Sequence, residues 1–448
     1  MKLRAAALAL AALVLAGALS ACKGEEQVIY EEEVRAVNDG KPARLAVEYD
    51  PRDKSGLLAE LQEIAKKYQA DYPQTEIQFV ERNASIEGGG TPDIVIDPSR
   101  QNVDLAEYAD FWASEGNLSA GANYAMHQMG RKTVYSIPMD IQQNLLFYRK
   151  DWIDAFNYEG NKTAAEKVNV ETWKRLLEFP EKLGEKGQLA ISQELSGYLF
   201  NAILWSNIGF GGMADPAAPY YAPGEECETI FTSEKALESA ELFCQVYQAS
   251  IEGGALTQEQ AVQRFLNGEA AAVIADASLA ETLSETMEEN TWRGVGLPMG
   301  DSGAAIVSCG WWGLGVSDQS EEQEKAIHFL CYLTSADNNI HLAATCGTLP
   351  LYKEALMMEP QLKNSPRLPE ITLLNQAGYS YTGEPQMFQG FSPSHLANGL
   401  YGQGLAQLLA GETSAQALLE KADQTCKEIY RQHIEAGGEI PWLMEEEE

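Results

Sequence analysis

A run of apolar positions between polar ones, Arg44-Leu-Ala-Val-Glu-Tyr49, predicts a short strand. After a polar loop at 50–55, Leu57, Leu58, Leu61, Ile64, Ala65 and Tyr68 recur at helical spacing until Tyr72-Pro73 ends the run. Residues 75–80 alternate like a strand. The Gly88-Gly-Gly-Thr-Pro92 loop then leads to Asp93-Ile-Val-Ile96, a strand of the fully buried kind. A strand, helix, strand, loop, strand order argues for a parallel-type sheet covered by helices.

The pattern changes character at 134–151. Val134, Tyr135 and Ile137 begin a β-type run that Pro138 should interrupt, because proline lacks an N–H for the ladder and fixes its own φ. A polar patch of Asp140 and Gln142 to Asn144 separates it from a second apolar run at 145–148. We read this as a crossover that leaves one sheet and enters another; two strands of one sheet with an irregular loop is the alternative. Polar groups at such a junction are well placed to meet a ligand held between two lobes. Beyond it, helical spacing marks 152–156, 172–183 with Thr172 as a cap, 199–208, 233–249 and 258–266, the last stopped by Asn267-Gly268. Strands are expected at 271–275, ending at Asp276, and at 294–297 and 311–316. A helix is expected at 321–333, and a helical half at 404–437 broken at Gly411. Residues 216–228 form a Pro- and Gly-bearing loop, and no internal repeat is present.

A chain of 448 residues is too long for one ordinary core, so two domains are expected. A hydrophobic content of 45% belongs to a folded protein and excludes a disordered one. The formal net charge of −34 repels nucleic acid and anionic membrane surfaces, which excludes both as direct partners. At the N-terminus, Lys2 and Arg4 precede an apolar run from 5 to 19 and then Leu19-Ser-Ala-Cys22. The run is short for a spanning helix and ends in small residues, so it reads as a secretory signal. The small residues before Cys22 match a lipobox, which implies lipid attachment at Cys22 and an extracytoplasmic protein tethered to the membrane by lipid alone. A plain signal peptide with an incidental Cys is the other reading. Cys227, Cys244, Cys309, Cys331, Cys346 and Cys426 remain. Either they form disulfides, whose pairing sequence cannot rank, or they are buried thiols. None is arranged as C-x-x-C, and no His stands at ligand spacing beside them, so no metal and no cofactor is expected.

Several ordered landmarks resemble the extracellular solute-binding lipoproteins of ABC importers, in their maltose-binding-like, sugar-oriented group (family 1). Thr91-Pro-Asp-Ile-Val95 is similar to that family's small-Pro-Asp-hydrophobic strand. Tyr135-Ser-Ile-Pro138 with Leu146-Phe-Tyr148 and Asp151 resembles its first crossover, with Arg149 in place of the usual Asn. Glu171-Thr-Trp173 with Leu176 resembles a Thr-Trp helix start that here lacks its Pro and Glu. Phe265-Leu-Asn-Gly-Glu-Ala-Ala-Ala-Val273 resembles the second crossover. Gly310-Trp-Trp-Gly-Leu-Gly-Val316 with 326–333, and then Cys346-Gly-Thr-Leu-Pro350, resemble the strand, helix and G-x-x-P that follow.

The resemblance implies an α/β protein of the two-lobe periplasmic-binding-protein-like fold (class II type). Each lobe would hold a mixed sheet flanked by helices, with a multi-crossing hinge between them. The expected layout is signal peptide 1–21, lipidated Cys and spacer 22–41, first lobe 42–138 and 276–334, second lobe 139–275 and 335–440, and acidic tail 441–448. It also implies a monomer that captures a carbohydrate, an oligosaccharide by expectation, and delivers it to membrane ABC permease subunits. Sugars present apolar C–H faces and a rim of hydroxyls, which call for aromatic platforms and planar donors and acceptors. Trp311 and Trp312 start a strand and point to opposite faces, so only one should reach the ligand. Trp205, Asp97 at a strand end, Asp140 and Gln142 on the crossover, Asp276, Tyr49 and Tyr381 complete the candidates. A polyamine, metal chelate or other non-sugar solute is the rival ligand, since an acidic cleft suits cations. No G-x-S-x-G, H-E-x-x-H or phosphate loop is present, so no enzyme is expected, although a spatial pair of glycosidase carboxylates stays open among 66 acids.

Overall fold

The computed structural model describes residues 41–50, 56–82, 91–96, 102–108, 112, 118, 134–213, 220–222, 227–308, 310–352, 362, 365, 368, 379–382 and 403–435. The signal peptide, Cys22 and the spacer up to residue 40 therefore lie outside the described residues. In chain order the described elements open with β1 (Ala43–Tyr49), α1 (Leu57–Asp71), β2 (Thr75–Glu81), β3 (Ile94–Val95), β4 (Ile137–Gln142) and β5 (Asn144–Arg149). They continue with α2 (Lys150–Tyr158), α3 (Trp173–Leu176), α4 (Phe179–Leu183), β6 (Leu189–Ala190), α5 (Ser196–Ile208), α6 (Glu234–Gln248), α7 (Gln258–Leu266) and β7 (Ala272–Asp276). The remainder are α8 (Leu279–Thr286), β8 (Trp292–Val295), β9 (Ala305–Ser308), β10 (Gly310–Val316), α9 (Gln323–Leu333), α10 (Ala336–Cys346), β11 (Tyr379–Thr382), α11 (Gly404–Leu409) and α12 (Ala415–Glu435). Among the described residues no helix is long and apolar enough to cross a membrane.

The chain divides into two compact units. Unit 1 comprises residues 1–115, 135–137 and 313–346; unit 2 comprises 116–134, 138–312 and 347–448. A five-stranded sheet in the order β2-β1-β3-β10-β4 organises unit 1. β1 runs parallel to β2 and β3, and β10 antiparallel to β3. Helix α1 buries the stripe Leu57, Leu61, Ile64, Ala65 and Tyr68, the face its spacing foretells. Tyr68 meets Phe329 of α9 edge-on at 4.9 Å, and its hydroxyl bonds His328 Nδ1 at 2.7 Å, so the ring is buried with its polar tip satisfied. On the next helix, α10, His341 Nε2 lies 2.8 Å from Glu60 Oε2 of α1.

Unit 2 holds a four-stranded sheet in the order β6-β7-β5-β8 and a two-stranded parallel pair, β11 with β9. β5 is antiparallel to both β7 and β8. Leu145, Leu146 and Phe147 are all buried without alternation, as expected of a strand covered on both faces. Helix α5 is apolar nearly all round and buries Leu199, Phe200, Ile203, Leu204 and Trp205; Phe200 stands edge-on to Phe243 of α6 at 5.5 Å. Each such fully buried large side chain contributes about 1.5–3 kcal/mol relative to exposure. Residues 276–312 cluster with unit 2 because β8 pairs with β5 and β9 with β11.

Two local expectations need correction. Pro138 does not interrupt its run: it is the second residue of β4, which occupies the edge of the five-stranded sheet, where a missing N–H breaks no central ladder. The helix expected over 172–183 is two short ones, α3 and α4, divided where Pro180 enters the first turn of α4. Its cap stands, with Thr172 Oγ1 accepting from Arg175 N at 3.3 Å. The crossover itself is as read: β4 lies in the five-stranded sheet and β5, one residue later, in the four-stranded one.

Candidate functional site

Parallel strands bring their carboxyl ends to one edge of a sheet, and side chains there are free of the packing that the strand interiors demand. In unit 1 that edge carries Tyr49, paired in register with Glu81. Tyr49 is half-buried, and its carbonyl accepts from Arg82 N at 2.8 Å. Asp50, next along, is 8% exposed and ion-paired to Arg82 at 3.8 Å. Glu48 and Asp93 are occupied with backbone: Ile96 N donates to Glu48 Oε2 and Ala46 N to Asp93 Oδ2, each at 2.8 Å. Asp97 lies outside the described residues. Asp50 and Arg82 were missed in the sequence, since only the parallel register of β1 and β2 places them side by side. Their signal was there in part, as both directly follow strand runs. A hollow of about 640 Å³ in unit 1 is lined by Arg44, Gln69, Gln74 and Glu76. It lies at the other end of the same strands and is separate from this edge.

In unit 2 the crossover delivers Asp140 and Gln142. Asp140 is 1% exposed, and its Oδ1 accepts from Leu349 N at 2.9 Å, which ties β4 to the segment that follows Gly347. The side chain of Gln142 is not described. The backbone after it turns beside the end of β7: Ala277 N donates to the carbonyl of Gln143 at 3.0 Å, and Asn144 pairs with Asp276. Asp276 is exposed and folds back on its own turn, with Oδ1 accepting from Ser278 N at 2.9 Å. The fold thus brings 142–144 and 276–278 together.

A second grouping surrounds β9. Trp205 on α5 is fully buried, its ring 5.7 Å from that of Tyr220. The neighbouring Ser206 Oγ accepts from Ile306 N of β9 at 2.8 Å. Tyr381 of β11 is in register with Val307 of β9, and β9 leads within a few residues to Trp311 and Trp312 on β10. Trp312 is half-buried; the side chains of Trp311 and Tyr381 are not described. Of the candidates, Tyr49 stands in unit 1, and Asp140, Gln142, Trp205, Asp276, Trp311, Trp312 and Tyr381 stand in unit 2. Among the described residues no cluster of three or more His, Cys, Asp or Glu is placed to hold a metal ion. The strand ends of unit 1 offer a carboxylate, a guanidinium fork and the half-buried Tyr49 ring, and those of unit 2 an exposed carboxylate and the half-buried Trp312 ring. Those are the means of holding a small polar solute.

Mixed sheets flanked by helices, with a chain that passes from one sheet to the other at β4–β5 and polar side chains at strand ends, define a two-lobe periplasmic-binding-protein-like fold. Residues 32–370 match the family described as bacterial extracellular solute-binding protein, and the chain belongs to that family. Three solved structures illustrate the likeness of fold. T. maritima MalE3 with maltose bound is 18% identical, with 86% of this chain and 99% of that one covered at a TM-score of 0.59. The cyclic alpha-maltosyl-1,6-maltose binding protein from Arthrobacter globiformis is 14% identical, with 87% and 100% covered at 0.63. UgpB from Mycobacterium tuberculosis, in complex with glycerophosphocholine, is 16% identical, with 88% and 99% covered at 0.59. No curated protein matches the chain in sequence.

Proposed function

We propose that this solute-binding protein is a lipid-anchored, monomeric receptor that captures an oligosaccharide and hands it to the permease of an ABC importer. The observation that carries the reading is the family match over 32–370, joined to neighbours of the same fold that hold maltose and a cyclic maltosyl sugar. The anchor rests on the lipobox ending at Cys22, and the extracytoplasmic location on that motif and the family. Within the site, Tyr49, Gln142, Asp276, Trp312 and Tyr381 supply ring faces and polar tips, with Trp311 or Trp312 as the stacking platform and Asp97 as a further acceptor. Asp140 and Trp205, both buried, are the remaining candidates for ligand contact. No covalent chemistry is involved, and closure on the solute favours the liganded form at the permease.

A second reading is a non-sugar solute of the same fold, favoured by the neighbour that holds glycerophosphocholine. A thermal-shift screen of the purified protein against mono- and oligosaccharides, glycerophosphodiesters, polyamines and amino acids separates the two. A solute at ~100 times its Kd adds about 2.7 kcal/mol to stability. We expect the shift with one glycan class, and Trp311→Ala and Trp312→Ala then show which ring stacks. A shift confined to phosphodiesters or polyamines overturns the sugar assignment and leaves the receptor standing.

A further inference from the structure

Residues 220–222 and 227–229 of unit 2, the two ends of a loop, are pinned against two turns of the C-terminal helix α12. Tyr221 and Thr229 form a β-bridge, and Ala222 N donates to the carbonyl of Glu228 at 2.9 Å, so the two ends of the loop lie side by side. Thr229 Oγ1 donates to Asp423 Oδ1 at 2.7 Å, and the Tyr221 hydroxyl donates to the carbonyl of Cys426 at 2.8 Å. The Tyr221 and Tyr430 rings stand 6.0 Å apart. Asp423, Cys426, Lys427 and Tyr430 are spaced three and four apart, so they share one face of α12. Cys227, two residues before Thr229, is near enough to that face for Lys427 and Asp423 to act on its thiol and for it to act on Cys426. It is half-buried, Cys426 is fully buried, and both are free thiols in this structure.

We propose that Cys227 and Cys426 are a disulfide-forming pair, a modification site that locks the segment 227–229 to α12 once the protein meets an oxidant. The family is extracellular, and such compartments sustain disulfides. The oxidant is a small or protein disulfide. The Cys227 thiolate attacks it and releases one thiolate as a mixed disulfide forms. Cys426, deprotonated in turn, then attacks the Cys227 sulfur and releases the second thiolate. Two thiols of the protein are oxidised, and one external disulfide is reduced to two thiols. The order follows access, since Cys227 is the more exposed of the two. Burial pushes the Cys227 thiol up to about 11, against the pull of the Lys427 ammonium, while Asp423 adds to the rise. Burial also raises Cys426, and the nearby Cys227 raises it further. The reaction is therefore slow at neutral pH and quickens as pH rises.

The test is chemical and does not depend on what solute the protein carries. The purified full chain is incubated at pH 8.5 with oxidised glutathione, quenched with acid, alkylated in denaturant and digested without reduction. We expect one cross-linked peptide pair joining Cys227 to Cys426, which separates on treatment with dithiothreitol and is absent from Cys227→Ser. That variant alters the half-buried member and spares the core. In parallel, the oxidised protein unfolds several degrees above the reduced one, because the link closes a loop of about 200 residues. Recovery of both peptides alkylated and unlinked after exhaustive oxidation overturns the proposal. So does Cys426 joined to another cysteine, or a melting temperature that oxidation leaves unchanged or lowers.

Discussion

Asp140 was expected at the ligand, and the structure gives it a tie that can be weighed. Its carboxylate is 1% exposed and accepts from Leu349 N at 2.9 Å; Leu349 and Leu351 are themselves 1% exposed. Asp140→Ala removes the acceptor and leaves a buried N–H without this partner. A hydrogen bond to a charged group contributes about 1.5–3 kcal/mol. At ~2–4 °C per kcal/mol for a domain of 150–250 residues, and somewhat less for a larger unit, a loss of about 2 kcal/mol lowers the unit 2 transition by roughly 3–6 °C. Asp140→Asn keeps an oxygen of the same shape without the charge, so it falls between the variant and the parent. Differential scanning calorimetry reads the shifts, and solute titration runs alongside. If Asp140→Ala melts with the parent but has lost its solute, Asp140 is a ligand contact and the tie is energetically idle.

Gly315 faces equally close limits: a Cβ there would stand 2.2 Å from Asn102 Nδ2 and 2.4 Å from the Tyr135 carbonyl. Gly315→Ala should therefore cost about 1–3 kcal/mol of unit 1 stability, visible as a lower melting temperature; an unchanged one would show that β10 has room to move. Thr257 and Gln260 form a capping box at the start of α7, so Thr257→Ala should lose about 1 kcal/mol in urea unfolding, against no loss if the cap is redundant. Partial burial works to raise the Glu178 carboxyl, but hydrogen bonds from Lys182 (2.7 Å) and Arg175 (3.0 Å) outweigh it and hold it below the usual glutamate value. Its stabilising share is present above the unfolded value of about 4.5 and is lost as pH falls through the lower folded value. Glu178→Gln should flatten that part of the acid-unfolding profile, and an unaltered profile argues against the pairing.

Regular alternation and helical spacing made much of this fold legible. The β1-α1-β2-β3 start and the jump from β4 to β5 follow the sequence pattern, as does the α7 stop at Asn267 with Gly268 at φ +73°. What escaped had little pattern to show. β6 has only two residues, α10 opens with Ala-Asp-Asn-Asn, and β9 is a four-residue strand, Ala-Ile-Val-Ser, too short to show alternation. Pro138 misled because edge position in a sheet is a tertiary fact. The site was legible as a set of strand ends and crossovers but not as a set of roles. Nothing around Trp205 distinguishes a core ring from a platform, and nothing around Asp140 reveals that Leu349, far along the chain, holds it. The pairing of Asp50 with Arg82 likewise exists only once β1 and β2 are in register.

The most direct test of the account is isothermal titration calorimetry of the purified protein with maltooligosaccharides, beside glycerophosphocholine and spermidine. The account predicts saturable one-to-one heat with an oligosaccharide, and a binding enthalpy that grows more negative with temperature as apolar surface is buried. Saturation by the phosphodiester or the polyamine, with no heat from any sugar, would contradict it.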